Sequence, residues 1–258
     1  MLCFCLFMGS LAKAQIINID KLDTMAYQYK VKWDGNISAG LEIDKQNKTL
    51  YDASNFLDLC LKKKKTLCIL SASNRFTYNG TQDFLNTGYF HLRMRNHYMA
   101  TVHPESYIQY QWDEKNGIKR RFLVGENVRY NYWHKRDWEI TFATGLMYET
   151  ELWDYVGVDS SKIPKNAQNV FTSVLKSNSY IKWEGKTSAT STIKLAIFYQ
   201  ALFTSFFKPR VSSVATFKIN ASKHFGIGLS FISLYDVTPI VPINRFYYSF
   251  SNSIVYKL

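Results

Sequence analysis

The chain has 258 residues, 47% of them hydrophobic and 16% aromatic, and a formal net charge of +12. This length allows one large β domain or two smaller ones, and the aromatic enrichment favours strands. The charge could suggest nucleic acid, but the basic residues are spread along the chain and form no single helical face. We therefore predict no nucleic-acid partner and expect the basic residues to meet anionic lipid or glycan.

The N-terminal segment has the features of a secretory signal. Its apolar run MLCFCLFMGSL is followed by Ala12-Lys13-Ala14, a small-x-small cleavage pattern. We predict a signal peptide over 1–14 and a mature domain over 15–258. The basic residues that normally precede the apolar run are missing, and a buried N-terminal strand is the alternative.

The rest of the chain alternates between apolar and polar residues. After residue 14 no apolar stretch approaches the roughly 18 residues that a membrane-spanning helix requires, so a chain in a membrane would cross it as a closed barrel. We predict an all-β fold, a transmembrane antiparallel up-and-down β-barrel of about 12 strands in the cell outer membrane. Its strands lie near 33–44, 48–61, 66–78, 87–97, 103–113, 119–133, 137–153, 177–184, 190–200, 210–220, 224–236 and 245–258.

The predicted connections differ at the two ends of the strands, as they do in outer-membrane barrels. One end has short turns, predicted at 62–65, 98–102, 134–136, 185–189 and 221–223. The other end has longer loops at 79–86, 154–176, 202–209 and 237–244, with a brief link at 45–47 as the exception. Loop 154–176 either folds into the lumen or contacts a partner. The last strand, 245–258, is the predicted contact with the barrel-assembly machinery.

The two faces of the predicted strands differ as a membrane requires. Outward positions are apolar, including Phe122, Val124, Val128, Tyr130, Phe142, Leu146, Ile197 and Phe231. Glu126 breaks this rule because its parity points it at lipid, which suggests a bulge or a site near the interface. Inward positions are polar, and the lumen-facing candidates are Glu105, Gln109, Gln111, Asn127 and Arg129.

A charge cluster is predicted near the long-loop end of the lumen. It comprises Arg121, Glu149, Glu151, Arg210 and Asp236. These charges are costly in a narrow lumen unless they are paired. One interpretation is a salt-bridge network that fills and stiffens the barrel. The other is a constriction that selects or gates solutes, because rings of charge are how pores discriminate ions. An anion preference is a secondary hypothesis, supported by inward Arg93, Arg95 and Lys194.

Several stretches resemble those of the salt-induced outer-membrane protein family. They are ESYIQYQ (105–111), RFLVGENVR (121–129), GLMYETELW (145–153), SNSYIKW (177–183), FYQ (198–200), RVSS (210–213) and LSFISLYD (229–236). The chain departs from the family pattern at Asn127, usually Gly, and at Val214, where an inward acid is common. The resemblance implies a bacterial outer-membrane barrel and a link to osmotic adaptation, but no activity.

No enzyme is predicted. Glu149 and Glu151 could be weighed as a glycosidase pair, but nothing else in the sequence builds a sugar site. No catalytic residue, metal site or cofactor is proposed. An outer-membrane hydrolase is a further alternative, but it needs a Ser/His or Asp/His pair at the outer rim, and the sequence places none there. Parity places Cys60 inward and Cys68 outward, which argues against a disulfide without closing the question.

The leading functional hypothesis is a narrow passive channel, or an envelope component, for small polar solutes or ions. Its predicted partners are the outer-membrane lipid bilayer and those solutes. The alternative is a non-conducting structural or docking barrel.

Overall fold

A computed structural model of the chain describes residues 32–45, 49–78, 84–135, 137–222 and 224–256. The predicted signal peptide lies outside these residues. None of the helices in the described part of the chain is long and apolar enough to cross a membrane.

Twelve strands account for most of the described residues. They are β1 (Trp33–Lys45), β2 (Thr49–Lys63), β3 (Thr66–Tyr78), β4 (Phe84–Asn96), β5 (Val102–Asp113), β6 (Ile118–Lys135), β7 (Trp138–Trp153), β8 (Val170–Lys186), β9 (Ser191–Leu202), β10 (Arg210–Asn220), β11 (Phe225–Asp236) and β12 (Phe246–Tyr256). Three short 3₁₀ turns lie in loops, at Glu114–Asn116, Ser160–Lys162 and Phe203–Ser205.

The strands form one sheet in chain order, and every neighbouring pair is antiparallel. The predicted all-β, twelve-stranded, up-and-down architecture is therefore confirmed. β1 and β12 are the two edges of this sheet, and within the described residues no ladder joins them.

The sheet is strongly curved. Neighbouring strands lie about 4.8 Å apart, so strands three apart would be separated by roughly 14 Å in a flat sheet. Yet Tyr180 on β8 donates a 3.0 Å hydrogen bond to Glu105 on β5, and Arg210 on β10 lies 3.3 Å from Glu149 on β7. These contacts form on one concave face, a curvature that is consistent with the predicted barrel.

The strand bounds differ from the predicted ones mainly at β8, which begins at Val170 and not near residue 177. The loop before it is therefore 154–169, shorter than predicted. The turn predicted at 134–136 is also shifted, because β6 continues to Lys135. In the lysine run 62–65, Lys62 and Lys63 belong to β2, and the turn is limited to Lys64 and Lys65, with Lys64 at a positive φ of 53°.

Candidate functional site

All five residues of the predicted charge cluster meet on the concave face near the long loops. Arg121 on β6 lies opposite Glu151 on β7, and Arg210 on β10 lies opposite Asp236 on β11. Alternation along β7 points Glu149 to the same side as Glu151. We call Arg121, Glu149, Glu151, Lys176, Arg210 and Asp236 the long-loop cluster.

The long-loop cluster is held by short ion pairs. Arg121 contacts Glu149 and also reaches Glu151, with Nε–Oε1 at 2.9 Å. Arg210 bridges Glu151 at 2.9 Å and Asp236 at 2.8 Å. Arg121, Glu149 and Glu151 are only 2%, 0% and 1% exposed, so the space between them is closed to water. Three cations and three carboxylates balance one another in this cluster.

The prediction missed one member of the cluster. Lys176 is the last residue of the predicted loop 154–176, but in the structure it lies on β8 and its ammonium contacts Glu149. Alternation could have identified it, because Asn178 is inward and Lys176 stands two residues earlier on the same strand. Gln200 on β9, 3.4 Å from Arg121, adds an amide neighbour.

A second cluster lies nearer the short turns and is centred on Glu105. Arg95 donates a 2.6 Å bond to Glu105, while Arg93 and Arg129 lie 3.5 Å and 3.8 Å from the same carboxylate. Tyr180 donates to its other oxygen at 3.0 Å. We call this the short-turn cluster. Arg129, predicted as lumen-facing, also reaches Glu139 at 3.3 Å, which sequence reasoning did not identify.

Between the two clusters lies a mixed layer of apolar and amide side chains. Tyr107, Leu123 and Met147 form a small buried apolar group. The predicted lumen-facing amides are buried beside it: Gln109 donates to Gln111 at 2.5 Å, and Asn127 receives a 3.3 Å bond from Asn178. The concave side of β5 to β8 is thus filled from one ionic cluster to the other.

The concave side of β11 and β12 is different. Gly228 pairs with Ser253 and Ser230 with Ser251, and Ser249 follows on the same face. We call Gly228, Ser230, Ser249, Ser251 and Ser253 the small-residue wall. All five are half-buried or exposed, and the bulkier inward residues Ile232 and Leu234 lie toward the long loops.

An apolar cluster covers part of the long-loop end. Ile118, Trp153, Val158 and Val241 are buried together, with Ile240 and Ile243 packed against them. Val158 belongs to the loop after β7, and Val241 to the loop between β11 and β12. The first residues of this loop thus pack against strand ends, and the two roles predicted for loop 154–176, folding into the lumen or contacting a partner, stay predictions.

Two further expectations can be compared with the structure. Cys60 and Cys68 lie on opposite faces of the sheet, so the disulfide between them that the sequence left open is absent. Glu126 does point outward, but the pairing of β6 with β7 runs without interruption from Arg121 to Asn131. The predicted bulge is therefore wrong, and the alternative, a site near the interface, stays a prediction.

The convex face is apolar and carries aromatic residues toward both ends. Near the short turns, Trp138 stacks on Trp183 with ring centroids 5.3 Å apart. Near the long loops, Tyr110 and Trp112 lie 5.8 Å apart. Trp138 and Tyr148 are ten residues apart on β7, which corresponds to about 24 Å along the axis of a barrel whose strands tilt by about 45°. This is close to the apolar band of about 25 Å in transmembrane barrels.

No protein-family model matches the sequence, and no curated protein or solved structure is significantly similar to it. The resemblance noted from the sequence motifs therefore stays a prediction. Within the described residues, no three His, Cys, Asp or Glu side chains are placed to hold a metal ion.

Proposed function

We propose that this chain forms a β-barrel of the outer-membrane type with a narrow passage for small polar solutes or ions. Support for a membrane location comes from the convex face, where large apolar side chains such as Val128 and Leu146 are 56% and 52% exposed. The concave face carries buried charges instead. A water-soluble barrel has the reverse arrangement, with apolar residues inside.

The observation that carries the proposal is the contrast within the concave face. Paired charges fill the side formed by β5 to β8, whereas the small-residue wall offers hydroxyl groups and little side-chain volume. A passage would follow the small-residue wall, past the fixed charges on the opposite side.

Cysteine accessibility tests the position of this passage. Ser230→Cys and Ser251→Cys, in a background without other cysteines, should react with a charged, membrane-impermeant thiol reagent in liposomes. Thr141→Cys is the matched control, because Thr141 is inward-facing and fully buried. Reaction of Ser230→Cys should also reduce the conductance of the protein in planar bilayers. Equal protection of all three cysteines, with no conductance at any voltage, would remove the proposal.

A non-conducting structural or docking barrel is the second candidate. The apolar cluster around Val158 and Val241 favours it, because such a cap stabilises a closed long-loop end. This candidate predicts that the protein conducts no ions even when the small-residue wall is accessible to reagents from the short-turn side.

A further inference from the structure

The convex face is not uniformly apolar: polar side chains lie on β5 to β8, and Ser213 and Ser233 form a further pair on β10 and β11. Across the strands, one row of paired positions reads Ser106, Glu126, Leu146 and Ser177. A comparable row on β9 to β12 is wholly apolar and reads Leu195, Ala215, Phe231 and Phe250. We call Ser106, Glu126, Thr144, Leu146, Ser177 and Ser179 the polar outer face.

Glu126 is the residue that needs an explanation. It lies in the middle of β6, is exposed, and forms no hydrogen bond or ion pair with any side chain that the structure describes. A charged group on a lipid-facing strand is unfavourable unless it reaches water or a hydrogen-bond donor. Acyl chains offer no donors, so lipid alone does not satisfy this carboxylate.

The donors that suit Glu126 are on the same face. Thr144 and Ser179 share a 2.8 Å hydrogen bond, which uses only one of their two hydroxyl protons and leaves one to donate outward. Ser177 lies beside Leu146 on the next strand. One face therefore carries both the acceptor and the donors, which is the requirement for a self-complementary, two-fold interface.

The shape of this region also suits a protein partner. A hollow of about 480 Å³ opens on the convex face, with Thr144 and Ser179 in its lining and larger side chains such as Tyr130, Phe142 and Tyr199 around them. Small hydroxyl residues let two membrane proteins approach closely and bond to each other. This hollow shares Thr144 and Ser179 with the polar outer face, so it can receive a protruding side chain of a neighbouring copy.

We propose that the polar outer face binds a second copy of this chain within the membrane. Each Glu126 accepts hydrogen bonds from hydroxyl groups of the partner, with Leu146 near the two-fold axis. This inference rests on the membrane-spanning arrangement proposed above.

The test measures mass and proximity in the detergent-purified protein. Native mass spectrometry should give a dimer, and Leu146→Cys should cross-link with a short bismaleimide at least fivefold more than Phe231→Cys, the control on β11. Glu126→Leu should lower the dimer fraction at least fivefold, whereas Glu126→Gln should keep it because its amide still accepts and donates. Leucine suits a lipid-facing strand, so Glu126→Leu is expected to fold.

Three outcomes would overturn this inference: a monomer at every detergent ratio, a monomer that retains a lipid in place of the second copy, or equal dimerisation of Glu126→Leu. A monomer that still requires detergent and still conducts would overturn the inference alone. A protein that stays soluble without detergent would remove the proposed function as well.

Discussion

Strands β5 to β8 and strands β11 and β12 present two unlike surfaces to the same concave space. The first surface carries Arg, Glu, Gln and Tyr side chains that are almost fully buried and hydrogen-bonded to one another. The second carries mainly serine and glycine in its short-turn half. Long charged side chains from strands several positions apart fill the interior from one side, and the small-residue wall leaves room on the other.

This difference assigns separate roles to the two surfaces. Burying charges is costly, and the cost is offset only where each charge has close partners. In the long-loop cluster Glu149 contacts Arg121, Lys176 and Arg210, so its geometry depends on three other strands. The cluster thus fixes the curvature of the sheet. The small-residue wall makes no comparable cross-sheet contacts and is free to border solvent.

The largest expected effect comes from Glu149→Gln. The substitution removes a buried carboxylate and leaves Arg121, Lys176 and Arg210 with fewer negative charges. We expect the free energy of unfolding to fall by about 3–5 kcal/mol. Urea unfolding in lipid vesicles, followed by tryptophan fluorescence, measures this change. Ser230→Ala on the small-residue wall is the control and should change the same quantity by less than about 0.5 kcal/mol. Similar losses in both variants would mean that the two surfaces do not differ in their contribution.

A bulky residue on the small-residue wall tests whether this surface borders open space, unlike the filled surface of β5 to β8. Ser230→Trp should lower the conductance in planar bilayers at least fivefold, because the indole occupies the space that the serine leaves open. The cost in unfolding free energy should stay below that of overpacking a filled core, which is about 1–3 kcal/mol. A loss of stability above 3 kcal/mol with unchanged conductance would show that this wall is packed and carries no passage.

The alternating sequence predicted much of this arrangement. Polar residues at every second position predicted the inward set on β5 to β7, because successive side chains of a strand point to opposite faces and the buried charges share one of them. The start of β8 was missed because the inward face becomes apolar under the loops, where Val170 packs against the cluster of Trp153 and Val158. Apolar residues then occupy both faces, and the alternation disappears.

Contacts between distant strands could not be predicted from the same pattern. Parity gives the face of Tyr180 and of Glu105, but their 3.0 Å hydrogen bond depends on the curvature of three intervening strand pairs. The apolar cap has the same origin, since Val158 and Val241 come from loops far apart in the chain. Such contacts are set by the curvature of the whole sheet and not by local sequence.

The smallest expected effect concerns an ion pair outside both surfaces. Lys186 and Asp137 lie at the short-turn end with Nζ and Oδ1 3.8 Å apart, and their side chains are 56% and 50% exposed. Water and salt screen such a pair, so Asp137→Asn should change the free energy of unfolding by less than about 0.5 kcal/mol. The same urea experiment at low and high salt measures this change. A loss comparable to that of Glu149→Gln would contradict the premise that burial, and not charge pairing alone, gives the long-loop cluster its effect on stability.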